Sequence, residues 1–145
     1  MGFYVCWLLA DEAEAAAIRA IVVARDRPLA DWPNLPTKDF DAQDVNALER
    51  ILQPKGKGKR STGGKFLAKG KMTDEPFISV SRVDPSFVRI LAGLNESDIA
   101  ALAEAWVQKL EDVKPNVAND LLRKLAAFAR QAEEASKPVL QADVL

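Results

Sequence analysis

Between Asn95 and Glu134 apolar residues return every three or four positions, and the pattern is interrupted once, at Pro115. Ile99, Leu102, Trp106, Leu110 and Val113 form one stripe; Val117, Leu121, Leu125, Phe128 and Ala132 form the next. A 3.6-residue period lays each set along a single helix face and leaves Arg123, Lys124, Arg130 and Glu134 off it. Neither stripe can be left in water, so whatever else this chain does, it must fold around a layer of packed helices. Asn95 with Asp98 has the spacing of a capping box for the first helix, Asn116 can cap the second, and Pro138 stops it.

The rest of the chain reads in shorter pieces. Phe3 to Leu9 is dense in aromatic and β-branched residues over strand length, and the spacing of Asp11 and Glu14 opens a helix that runs to about Arg25. Pro28, Pro33 and Pro36 predict a loop from Asp26 to Lys38. Val45, Leu48, Ile51 and Leu52 define another helix, ended by Pro54, Gly56 and Gly58. Phe77 to Arg82 alternates as a strand with one wet face, and Asp84-Pro85 caps and starts a short helix that Gly93 closes. That helix should bury Phe87, Val88, Ile90 and Leu91. Val139 to Val144 is branched and short enough for a terminal strand. The expected fold is α+β: one domain over residues 1–145, mostly helical with about five helices, and a small two- or three-stranded sheet on one side of the bundle.

Residue counts exclude several chemistries. The chain has no histidine, and Cys6 is its one cysteine. Disulfide frameworks, thiolate or imidazole zinc sites and His-dependent nucleophile pairs are therefore excluded. Asp39 and Asp41 start a calcium-loop pattern that fails at Gln43, Asp44 and Arg50, so helix capping accounts for the acids. Glu104, Glu111 and Asp112 read as a solvated helix face rather than paired catalytic carboxylates. No cofactor, no metal and no catalysis are expected. The apolar start from Gly2 to Ala10 lacks a preceding basic residue and is too short to span a bilayer, which points to a cytoplasmic protein without membrane attachment.

Charge is strongly segregated. Net charge is −1, yet seven of the 20 basic residues, Lys55, Lys57, Lys59, Arg60, Lys65, Lys69 and Lys71, fall in one stretch free of acids. The remainder, 13 basic against 21 acidic residues, carries about −8. This Gly/Lys-rich segment, at about 54–74, is expected to be a loop. It fails the phosphate-loop pattern, because Gly64, Lys65 and Phe66 stand where lysine and a hydroxyl are needed. Three readings follow: a solvated loop or hairpin, contact with an acidic protein, or contact with nucleic acid. Phe66 is the one aromatic residue in the segment, thin for base stacking.

Trp7 and Trp106 belong to the core by position, as do Tyr4 and Cys6. Trp32 lies between prolines, where a large ring either plugs a gap over the helices or anchors a partner.

The half from Phe77 to Leu145 resembles small bacterial proteins of unassigned function. The likeness lies in the short helix Ser86-Phe87-Val88-Arg89-Ile90-Leu91-Ala92, a second helix ending in Ala105-Trp106, a long third one and a terminal strand. Proteins of that layout include immunity proteins that neutralise toxins, and the resemblance implies an inhibitory binding role. The expectation is a non-enzymatic protein-binding module with Trp32 and the basic residues as contacts. The alternative is an accessory nucleic-acid binder using residues 55–71.

Overall fold

The computed structural model describes residues 4–24, 32–37, 40–53, 65–69 and 78–144. Its strands are β1 (Tyr4–Leu9), β2 (Asn34–Thr37), β3 (Lys65–Lys69), β4 (Ile78–Arg82) and β5 (Val139–Val144). They form one sheet in the order β2-β1-β5-β4-β3, and every pairing is antiparallel. The helices are α1 (Ala15–Ala24), α2 (Ala42–Leu52), α3 (Pro85–Ala92), α4 (Glu96–Val107) and α5 (Pro115–Ala135), with a 3₁₀ turn at Glu12–Glu14 before α1. The fold is α+β and mostly helical, as the sequence predicts, but the sheet has five strands rather than two or three.

Alternation along β1 explains how the layers stack. Val5, Trp7 and Leu9 point into a large cluster with Phe87, Leu91, Trp106, Leu122, Leu125 and Phe128. Cys6, Leu8 and Ala10 point the other way, into a smaller cluster with Ala15, Ile18, Val80, Leu140 and Ala142. Every residue of β1 from Val5 onward is buried, because α1 covers the second face. Helices thus pack on both sides of the sheet, which corrects the expected one-sided arrangement.

The two unforeseen strands are the sheet's edges. Pro36 made β2 look like a loop, but its place in the register removes the objection. Leu9 donates to the Pro33 carbonyl at 3.0 Å, and Leu35 and Thr37 lie opposite Trp7 and Val5, so Pro36 falls on the alternate position whose N–H would point away from the sheet. A proline there costs no ladder bond and blunts the edge. At the other edge, Phe66-Leu67-Ala68 inside the basic segment pairs with β4 as β3, with an irregularity between Phe66 and Ala68. Part of the expected 54–74 loop is therefore strand; the rest of it lies outside the described residues.

Helix boundaries follow local chemistry. Asp41 and Asp44 close a reciprocal capping box on α2, as do Asn95 and Asp98 on α4. Asp84 accepts from Ser86 N at 2.9 Å, and Pro85 occupies the first turn of α3. Two expectations shift. The α4 helix stops at Val107, and Asp112 then takes φ 55, so Leu110 and Val113 pack against the core from a turn. The α5 helix starts at Pro115 with Lys114 as its cap, because proline at the first position needs no N–H partner, and this leaves Asn116 inside the helix.

Polar side chains in the interior are placed by strand register. Trp7 lies opposite Gln141, and its indole Nε1 donates to Gln141 Oε1 at 2.9 Å. Gln141 Nε2 donates in turn to Asp143 Oδ1 at 2.8 Å. Trp106 Nε1 donates to the Asp44 carbonyl at 2.8 Å, while its ring stacks on Phe40 at 5.0 Å. Both buried tryptophans thus have partners for their one polar atom, a condition for burying them cheaply.

Candidate functional site

Two strand–helix junctions meet side by side at one end of the sheet. The β4 strand ends at Arg82 and turns through Val83 into α3, and α5 ends at Ser136 and turns through Pro138 into β5. Val83 N donates to the Val139 carbonyl at 2.9 Å and stitches the two together. Between them lies a cleft of about 210 Å³. Its floor is apolar, from Val83, Val88, Ala132 and Val139, all at least nine-tenths buried. Its rim carries Arg82, Arg89 and Lys137, with Glu133 as the one acidic lining residue among those described.

The cations are held to different degrees. Arg82 Nη1 donates to Glu12 Oε2 at 2.9 Å, with both side chains about one-third exposed. Lys137 Nζ lies 3.6 Å from Asp11 Oδ2, a looser and more exposed pair. Exposed pairs of this kind contribute about 0–1 kcal/mol, so they orient the side chains more than they stabilise the fold. Arg82 Nε is buried without an acceptor among the described residues. The exposed Arg89 side chain makes no hydrogen bond or ion pair among them. Ser136 ends α5 in the left-handed conformation, φ 54, where glycine is the usual residue, and its hydroxyl has no partner among the described residues.

The basic segment joins this end of the sheet. Lys65, the first residue of β3, stands directly opposite Arg82. Neighbouring Cα atoms in such a ladder are about 5 Å apart, so the strand brings the Lys65 backbone beside that of Arg82. Lys69 lies at the other end, opposite Ser79. Lys55, Lys57, Lys59, Arg60 and Lys71 lie outside the described residues. The register therefore sets Lys65 opposite Arg82 at one end of β3 and Lys69 opposite Ser79 at the other.

Trp32 is half-buried, packs against the smaller core cluster, and donates its indole N–H to Glu14 Oε2 at 2.8 Å. The same carboxylate accepts from Asp11 N at 3.0 Å. These two bonds, the Trp32 one foremost, hold the Glu14 carboxyl below its ordinary range. The ring covers the start of α1, well apart in the chain from the cleft.

A wider depression of about 450 Å³ lies between α4 and the start of α5. Arg123, on its rim, is already joined to Glu96 at 2.7 Å. Among the described residues no group of acids, cysteine or histidine is arranged to hold a metal ion, and no helix is long and apolar enough to cross a membrane.

Arg82, Arg89 and Lys137 were not singled out by sequence. They come from three elements, and each looks locally like an ordinary surface residue: a strand end, the off-face of α3, a helix stop. Only the Val83–Val139 junction brings them together. No protein-family model, curated protein or solved structure matches the chain.

Proposed function

We propose that this protein is a non-enzymatic binding module that docks on an acidic partner protein, in the manner of an immunity or inhibitor protein, through the sheet end marked by Lys65, Arg82, Arg89 and Lys137. The observation that carries this reading is the convergence of Arg82, Arg89 and Lys137, distant in sequence, around one cleft, with Lys65 in register with Arg82. A protein partner fits better than nucleic acid for two reasons. Asp11, Glu12 and Glu133 are interleaved with the cations and would repel a continuous row of phosphates. The apolar cleft floor also offers burial that a phosphate backbone cannot use.

Titration calorimetry against the proteins encoded beside this one tests the reading. A binding partner is expected, with affinity lowered by salt and by the double variant Arg89→Glu/Lys137→Glu. If none of those proteins binds, the inhibitor reading fails. If duplex DNA binds at low salt with a log–log salt slope of about −0.9 per phosphate contact, the nucleic-acid alternative replaces it.

A further inference from the structure

We propose that β3 is a docking edge that takes up a short acidic segment of the partner protein as a further antiparallel strand. The inference deepens the docking reading and rests on it for the partner's charge. Among the described residues no strand lies beyond β3, which ends the sheet on the side away from β2. Its inner side is fixed by β4, and α1 packs across both strands, so the edge is extended before any partner arrives. Register decides which backbone groups that edge offers. Val83 N donates to the Val139 carbonyl, and this pair is the next rung of the β4–β5 ladder, so Ser81 and Ser79 also turn their N–H and C=O toward β5. Arg82 and Val80 turn theirs toward β3, where they meet Lys65 and Ala68. Phe66 and Lys69, opposite Ser81 and Ser79, are left with N–H and C=O directed away from the sheet.

The same rule applied to the other edge leaves Asn34 and Pro36 of β2 outward, and Pro36 has no N–H to give. Of the two edges, β3 is thus the one with a donor and an acceptor at each outward position, the groups through which an extended peptide joins a sheet. Charge then names the occupant. Lys65 and Lys69 bound the strand, and no acid occurs between Pro54 and Met72. A second copy of β3, paired antiparallel about Leu67, would set lysine opposite lysine at both ends, and like charges so placed destabilise a ladder. Edge lysines commonly guard against such self-pairing, and the same guard favours a strand that bears glutamate or aspartate. The register break that inserts Leu67 sets Phe66 and Lys69 three positions apart where a regular strand would have two. Such a break bends and twists an edge, which admits a short segment and hinders a long regular strand.

The probe is a capped hexapeptide of alternating glutamate and valine, titrated into isotope-labelled protein while hydrogen exchange is read at single amides. In the free protein the Phe66 and Lys69 amides should exchange much faster than those of Lys65 and Ala68, which face β4. At about ten times its Kd the peptide should slow Phe66 and Lys69 about tenfold and leave the other two unchanged, because exchange then proceeds from the unbound fraction. N-methylation of alternate peptide residues should abolish this protection in one phase and spare it in the other, the period of a strand. A lysine–valine peptide should give none. Lys69→Pro should weaken binding about tenfold and Lys69→Gln about threefold, and the gap between them isolates the lost N–H, since position 69 makes no bond to β4. Slow exchange of Phe66 and Lys69 in the free protein, indifference to N-methylation, or protection by the lysine peptide or by an oligonucleotide overturns the inference. So does a dimer in sedimentation that protects the same amides. A neighbouring protein that binds by calorimetry and leaves Phe66 and Lys69 unprotected defeats the edge assignment alone. A peptide that protects them while no encoded neighbour binds defeats the docking reading alone.

Discussion

Replacing Asp143 by asparagine should stabilise the protein at neutral pH and leave it unchanged in mild acid. Asp143 sits in the central strand and accepts from Gln141 Nε2 at 2.8 Å. Burial pushes its carboxyl up from 3.8 to about 6; the Gln141 bond pulls the other way, and the nearby charge of Asp41 adds to the rise. The sign follows from linkage. Between about pH 4 and pH 6 the folded state keeps a proton that the unfolded chain, titrating near 3.9, has released. Stability from this group is therefore full below about pH 4 and falls as pH rises through 6. A shift of about two pKa units corresponds to about 3 kcal/mol, and partial solvent access to Asp143 reduces that to about 1–2 kcal/mol. Asparagine keeps an oxygen for Gln141 and carries no charge. Urea denaturation of both proteins at half-unit steps from pH 4 to pH 8 isolates the effect, since every other titrating group cancels in the difference. The variant should match the parent at pH 4 and exceed it by about 1–2 kcal/mol at pH 7.5, or roughly 3–6 °C in Tm for a chain of this size. Parallel curves, or a variant weaker than the parent at pH 7.5, would show that the carboxylate is held by a favourable partner and that the desolvation argument is wrong.

Burial raises the Cys6 thiol to about 11, so alkylation at pH 8 should proceed only through unfolding, at a rate that rises with denaturant; rapid labelling of the native protein contradicts the placement of Cys6 under α1. Trp7→Phe leaves the buried Gln141 Oε1 without its indole donor and should cost about 2–4 kcal/mol in denaturant unfolding, whereas a cost below ~1 kcal/mol would mean the bond at 2.9 Å contributes little. Arg130 donates from Nε to the Ala92 carbonyl at 3.1 Å and from Nη2 to the Leu94 carbonyl at 2.6 Å, so Arg130→Ala should lose about 1 kcal/mol by the same measurement. Gly93→Ala, next to that clasp, should change stability by less than ~0.5 kcal/mol, because φ is −88 there and an added Cβ meets only the Ile90 and Arg89 carbonyls at 3.6 and 3.7 Å.

Features written in local chemistry were legible from sequence. The Asn95/Asp98 box, Asp84-Pro85, the α5 stripe and the α4 stripe as far as Trp106 each depend on residues within one or two turns of each other, and the structure keeps them. The losses came where a distant partner decides. Pro36 reads as a strand breaker until β1 lies on its other side and its missing N–H faces outward. Phe66-Leu67-Ala68 reads as part of a basic loop until β4 offers a ladder. The cleft was illegible for the same reason: Arg82, Arg89 and Lys137 acquire a common address only once Val83 bonds to Val139. Lys65 was named for its composition, yet its importance is positional, and no composition could separate it from Lys69.

The order of the strands also sets a timetable. Trp7 and Gln141, which face each other at the middle of the sheet, are 134 residues apart. On a ribosome β1 and β4 emerge with one flank open and stay so until β5 arrives to fill the gap. Closing so long a loop is slow, and exposed flanks invite pairing with other chains in the meantime. Because β5 must insert between β1 and β4, the chain is most dependent on chaperones until β5 has emerged and joined them.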